Sequence, residues 1–159
     1  SLGCSLPKSE PMSSRDTYDE VPYAARSVPQ MHPDLLAVEA RLRGLCPAPV
    51  SRCRVLELGC ADGSHLIPLA AQWPESRFVG IDRSDVQIER GLALIREHGL
   101  TNIELLAADL STFPDEGEPF DYVLSHGVYS WVPPPVRARI LQIAQRRLAP
   151  QGLAYVSYN

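Results

Sequence analysis

The sequence predicts an α/β fold: a doubly wound parallel sheet with helices on both faces, in three layers. Two patterns predict it. Five short, mostly apolar runs, at 54–59, 77–82, 103–109, 121–126 and 153–157, read as strands buried on both faces. Most of the intervals between them carry apolar positions at helical spacing, and that alternation of strand and helix builds βαβ units. A third observation agrees. The first three strands end, in order, on a glycine turn, on Asp82 and on Asp109, which puts ligand-ready groups along one edge of the sheet.

The elements follow in order. Residues 1–30 are polar and broken by Pro7, Pro11, Pro22 and Pro29, so they form an extended N-terminal segment, with 1–11 as a tag or linker ahead of Met12-Ser13-Ser14. The domain occupies 31–159. Its first helix opens at His32-Pro33-Asp34, because proline suits the first helical position and an acid complements the positive end of the helix dipole. Leu35, Leu36, Val38 and Leu42 are its expected apolar side, and Gly44 its cap. After the first strand and its glycine turn comes a helix over 63–72, with Pro68 near the first turn. Ser84-Asp85-Val86-Gln87 reads as a capping box; its helix is expected to carry Val86, Leu92, Ala93 and Ile95 inward and to close at Gly99. The third strand is followed by an acidic, turn-rich loop over 111–119. Pro133-Pro134-Pro135 leads into a helix with Val136, Ile140, Ile143 and Leu148 at helical spacing, ended by Pro150-Gln151-Gly152. The sequence stops at Tyr158-Asn159, straight after the fifth strand. The expectation is therefore a domain truncated there, with an exposed strand edge that pairs with a partner or with a missing C-terminal part.

Composition bounds the partners. A hydrophobic content of 45% in 159 residues fits one globular domain with a real core. The formal charge of −4 gives no basic face for a nucleic-acid backbone. No apolar run is long enough to span a bilayer, and no secretory leader opens the chain, so no membrane partner is expected. The four cysteines, Cys4, Cys46, Cys53 and Cys60, form no close C-x-x-C pair, and no histidine follows at zinc spacing, so no metal site is expected. The chain reads as cytoplasmic, with reduced thiols.

The chemistry sits at the strand ends. In Glu57-Leu58-Gly59-Cys60-Ala61-Asp62-Gly63, glycines between strand and helix let a ligand approach backbone N–H groups closely; a tight structural turn would favour them too. Asp82 ends the second strand about 20 residues after that turn, where a carboxylate accepts both hydroxyls of a ribose. As an alternative it is an ordinary helix-start residue beside Ser84. Asp109, in Ala107-Ala108-Asp109-Leu110, is placed to accept from an exocyclic amine of adenine, or else simply opens the next loop.

Glu57-x-Gly59-x-Ala61-x-Gly63, Asp82 and Ala108-Asp109 resemble motifs I, II and III of the class I S-adenosylmethionine-dependent methyltransferases, whose fold is Rossmann-like. The resemblance spans about 54–159. Tyr18-Asp19-Glu20-Val21-Pro22-Tyr23, His32-Pro33, Leu66-Ile67-Pro68 and His126-Gly127-Val128-Tyr129-Ser130-Trp131-Val132 look like a bacterial subgroup in which a methyltransferase regulatory domain follows the catalytic one; the expectation is that residues 1–159 hold the catalytic side without that domain. Two departures stand out: Ala61 replaces the usual middle glycine of motif I, and five strands stand where the class has seven.

The resemblance implies S-adenosyl-L-methionine as cofactor and methyl transfer to an unidentified acceptor, a small molecule or a protein side chain. It implies that Glu57 anchors the turn or helps to place the amino acid end of the cofactor, that Gly59, Ala61 and Gly63 pass close to that end, and that Asp82, with Arg83 beside it, holds the ribose. It further implies that Ala108, Asp109 and Leu110 hold the adenine, that Ser125 and His126 lie near the sulfonium and the acceptor, and that Tyr18 belongs to a segment folded over the pocket. His126 is the catalytic candidate as a general base, or a histidine that only orders its loop. Tyr129 and Trp131 line the acceptor side, or merely cover the sheet edge. Cys60 reads as a small apolar filler and His65 as a solvent-facing residue. Two other functions fit part of the pattern. One is a nicotinamide-dependent oxidoreductase, although the glycine spacing is not G-x-G-x-x-G. The other is a non-catalytic module that binds the cofactor for a regulatory purpose.

Overall fold

The structure, a computed structural model, describes residues 29–158; the expected extended segment, Tyr18 included, lies outside the described residues up to residue 28. The elements are α1 (Pro33–Leu42), β1 (Arg54–Leu58), α2 (Leu66–Gln72), β2 (Arg77–Asp82), α3 (Asp85–Glu97), β3 (Ile103–Ala107), β4 (Phe120–Ser125), α4 (Pro134–Arg147) and β5 (Leu148–Val156). The five strands pair in parallel in the order β3-β2-β1-β4-β5. The chain winds outward from β1 to β3, then returns to place β4 on the other side of β1. In such a sheet the loops diverge at the reversal and leave a binding crevice beyond the carboxyl ends, here between β1 and β4.

Strand residues alternate between two cores, as the pleat requires. Val55, Phe78, Tyr122 and Leu124 pack with Ala37, Leu66, Leu69, Ile88 and Ile95, so α1, α2 and α3 cover one face. Leu56, Leu58, Ile81 and Val123 pack with Ile140, Ile143 and Ala144 of α4 on the other. By the same alternation Glu57 and Asp82 fall on the α1–α3 face.

The helix signals hold at both ends of α1 and α3 and mislead on their faces. Pro33 starts α1, and the His32 imidazole caps it by accepting from the Asp34 N–H at Nδ1, 3.2 Å away. Both α1 and α3 close in Schellman motifs: the Leu45 N–H donates to the Ala40 carbonyl, and the Leu100 N–H to that of Ile95. Ser84 Oγ accepts from the Gln87 N–H, as a capping box requires. The buried side of α1, however, is Pro33, Ala37 and Ala40, while Leu35, Val38 and Leu42 are exposed. Small residues let α1 approach the sheet closely, so size rather than hydrophobicity chose the face. In α3 the inward positions are Gln87, Ile88, Gly91 and Ile95; Val86 and Ala93 face outward. The helix α2 starts at Leu66, three residues later than expected. Finally, β5 begins at Leu148, but its register against β4 jumps from Phe120↔Leu148 to Tyr122↔Leu153, across the left-handed Gln151 (φ 65°). The Pro-Gln-Gly stretch is thus a bulge inside a strand instead of a separator before one.

Candidate functional site

The first three residues of the turn after β1 are each bonded to β2. The N–H groups of Gly59 and Cys60 both donate to the Ile81 carbonyl, at 2.8 and 3.0 Å. The Ala61 N–H donates to Asp82 Oδ2 at 2.9 Å, and the Ser84 N–H to Oδ1 at 3.0 Å. Asp82 is buried and its carboxylate is fixed by these two donors, each oxygen keeping lone-pair capacity for another partner. Asp82 is therefore both of the things its position allows, a helix-start residue and an acid at the crevice. Gly59 and Gly63 adopt φ of 81° and 75°, the left-handed region open to glycine. Ala61 sits there as well, at φ 50°, the position where the resemblance has glycine.

Glu57 lies behind this turn, buried, with Oε2 lacking any hydrogen-bond partner. Burial, with added repulsion from Asp82 and Asp62, pushes its carboxyl up to about 8. The group is a neutral acid at neutral pH unless a cation is set beside it. At the next strand end the Ala108 N–H donates to the Asp82 carbonyl at 2.8 Å, extending the ladder past β3. Asp109 is exposed, its Oδ1 accepting from the Ser111 N–H at 2.8 Å, and Leu110 is buried beside it. Arg83 is exposed next to Asp82.

The end of β4 is built differently. Ser125 is buried and its hydroxyl donates to the Leu58 carbonyl at 3.2 Å, so the side chain joins two strands and does not line the crevice. The His126 ring stacks on Tyr155 of β5, centroids 6.3 Å apart and planes at 23°, and its buried Nδ1 has no partner. His65 corrects the reading above: it is 6% exposed, both ring nitrogens are unpartnered, and burial, then His32 and His126, push its pKa down to about 4. The cause of the error is the late start of α2, which leaves His65 in the turn and folds it inward. Beyond His126, Val128 packs directly on the β1 turn: a Cβ on Gly59 would lie 2.2 Å from its Cγ2. Tyr129–Trp131 form a 3-10 turn, with Tyr129 half-buried against the α4-side core and Trp131 79% exposed. Two residues here escaped the sequence reading. Tyr155 is signalled only by its register with Leu124, and Arg137, on α4, by nothing in the sequence. Among the described residues no group of three or more His, Cys, Asp or Glu side chains is arranged to hold a metal ion, and no helix is long and apolar enough to cross a membrane.

Comparison with known proteins adds three relatives and a family. A sequence profile described as a methyltransferase domain matches residues 55–152. Two uncharacterized proteins of Rickettsia prowazekii are similar: RP789 is 40% identical over 93% of this chain and 27% of its own length, and RP028 is 35% identical over 92% and 59%. Among solved structures, PKMT2 from Rickettsia typhi in complex with AdoHcy superposes with a TM-score of 0.83 at 36% identity, covering 87% of this chain and 27% of that one. The chain thus spans between about a quarter and three-fifths of the length of these relatives.

Proposed function

The chain belongs to the methyltransferase-domain family, and from that premise we propose that it binds S-adenosyl-L-methionine along the ends of β1, β2 and β3 and transfers its methyl group to a nucleophile presented beside β4. One observation carries the reading. At the reversal of strand order, the Asp82 carboxylate is held by two backbone N–H groups with capacity left for two hydroxyls. The residues fit the cofactor in a second way, since the orphaned Glu57 Oε2 is matched by an α-ammonium group. AdoHcy, the demethylated form of this cofactor, occupies the Rickettsia typhi relative.

When bound, the cofactor supplies a methyl group activated by its sulfonium. The chain's own residues do the rest. Glu57 takes the ammonium, Asp82 the ribose hydroxyls, and Asp109 the adenine amine, with Ala108 and Leu110 along the ring. Gly59, Ala61 and Gly63 let the backbone come close, and Arg83 borders the ribose. Val128, seated on Gly59, excludes water from the seam between the two halves of the edge. His126 takes the acceptor's proton on its imidazole where the nucleophile is protonated, and Tyr129 orients the acceptor. Ser125 contributes by fixing the end of β4 to β1. The acceptor is a small molecule or a protein side chain. The free thiols of Cys46, Cys53 and Cys60 suit the reducing cytoplasm, where we place the reaction.

Calorimetric titration tests this. The expected result is saturable binding of AdoHcy, competed by S-adenosylmethionine and not by NADH. Competition by NADH would favour an oxidoreductase instead, and no binding of AdoHcy would end the reading.

A further inference from the structure

The loop between β4 and α4 has no side-chain cap at the start of its helix; Pro133 stands there and offers none. Its order comes from within α4. Arg137 Nε donates to the Val132 carbonyl at 2.9 Å and Nη2 to the Ser130 carbonyl at 3.1 Å. The same guanidinium lies 5.7 Å from the centre of the Tyr129 ring. One side chain therefore grips three residues of a four-residue stretch, two through carbonyls and one through a ring face. A planar guanidinium with several fixed donors is suited to that, and an ammonium is not.

What the gripped stretch does makes the grip consequential. At its start is Val128, whose methyl fills the space that Gly59 leaves empty. The Trp131 N–H closes the turn back onto the Val128 carbonyl at 2.9 Å, so a displacement of Ser130 or Trp131 is passed to Val128. At the other end Trp131 is left 79% exposed, with no core contact to hold it.

We propose that Arg137 is the positioning residue of this loop: by holding the carbonyls of Ser130 and Val132 and the face of Tyr129, it seats Val128 on the cofactor turn and presents Tyr129 and Trp131 to the acceptor. The proposal rests on the function above, in that it assigns the loop to the acceptor side. It adds that the order of this side is set from α4, outside the crevice.

The chain's two tryptophans allow a direct test. In a Trp73→Phe background, Trp131 is the sole tryptophan of the chain, and its fluorescence anisotropy reports the order of the loop. Arg137→Met should lower that anisotropy clearly, and AdoHcy should not restore it. The dissociation constant for AdoHcy should rise about three- to tenfold through the loosened contact of Val128 with Gly59. Arg137→Lys, which keeps the charge and one donor, should recover part of the anisotropy and most of the affinity. A general loss of stability would lower the melting temperature without this pattern, so melting is followed in parallel. Should Arg137→Met fail to fold, the lysine variant decides alone, by an anisotropy between those of the parent protein and a denatured control. Unchanged Trp131 anisotropy in a folded variant that still binds AdoHcy would overturn the proposal and leave the cofactor reading intact. Failure of the unmutated chain to bind AdoHcy at all would instead overturn the functional reading, whatever Trp131 does.

Discussion

The two halves of the sheet edge are held by different means. On the β1–β2–β3 side, backbone donates and carboxylates accept: Asp82 ties the Ala61 turn to the start of α3, and Asp109 caps its own loop. On the β4 side, side chains donate and backbone accepts: Ser125 to Leu58, and Arg137 to Ser130 and Val132. The titratable groups differ likewise. Asp82 and Asp62 crowd Glu57 on one side, and on the other His126, following β4, stacks on Tyr155. The contrast teaches that the β1–β2–β3 edge is written into short-range backbone geometry. The β4 edge is assembled from side chains on separate elements, which can be exchanged without rebuilding the turn.

The largest effect should separate the halves outright. Asp82→Ala removes the ribose acceptor and frees the Ala61 N–H, so affinity for AdoHcy should fall at least about a hundredfold, as for loss of charge-assisted bonds in a buried site. His126→Gln should leave that affinity within about threefold while lowering turnover by about 10²–10⁴, the usual contribution of a general base. Titration calorimetry measures the first; rate assays, once an acceptor is found, measure the second. Equal losses of cofactor binding in both variants would dissolve the distinction.

The seam between the halves comes next. Gly59→Ala combines a left-handed backbone with a methyl driven into Val128, and should cost about 1–3 kcal/mol of stability in chemical denaturation. Adding Val128→Ala should return about 1 kcal/mol of that, a coupling read from the double-mutant cycle. Strict additivity would mean that the halves do not meet at this contact.

Smaller effects should appear in the pH dependence of melting, in opposite directions. The folded pKa of Glu57, about 8, lies above that of a free glutamate, about 4.3. The folded state keeps a proton that the unfolded chain gives up, so stability falls as pH rises from about 4.3 to 8. For His65 the folded value, about 4, lies below the free value of about 6.5. There the unfolded chain takes up a proton that the folded state refuses, and stability falls as pH drops from about 6.5 to 4. Glu57→Gln should flatten the alkaline limb and weaken AdoHcy binding, and His65→Asn should flatten only the acid limb. The least effect belongs to Ala61→Gly, which should relieve the left-handed alanine and raise stability by about 0.5–1 kcal/mol without weakening AdoHcy.

The same contrast governs what was legible in the sequence. The parallel alternation, the capping of α3 and the carboxyl-edge acids Asp82 and Asp109 could be read because each depends on neighbours in the chain. The faces of α1 and α3 could not. Ala37 and Gly91 are chosen for closeness, and a Cβ on Gly91 would lie 2.4 Å from the Asp62 carbonyl oxygen, a contact no periodicity encodes. His65 was misjudged because its inward turn depends on where α2 starts. The Arg137 clamp and the His126–Tyr155 stack join residues from separate elements, and Ser125 is diverted from the crevice by an acceptor 67 positions away. The β1–β2–β3 edge was thus readable and the β4 edge largely was not.

The central claim is that the carboxylate half of the edge is the cofactor site, and a crystal structure of the chain with AdoHcy tests it most directly. The account predicts both ribose hydroxyls on the Asp82 carboxylate, the ammonium end toward Glu57 and the Gly59–Gly63 turn, and the adenine beside Asp109 and Leu110. AdoHcy bound elsewhere, or bound there with Asp82 making no contact to the ribose, would contradict it.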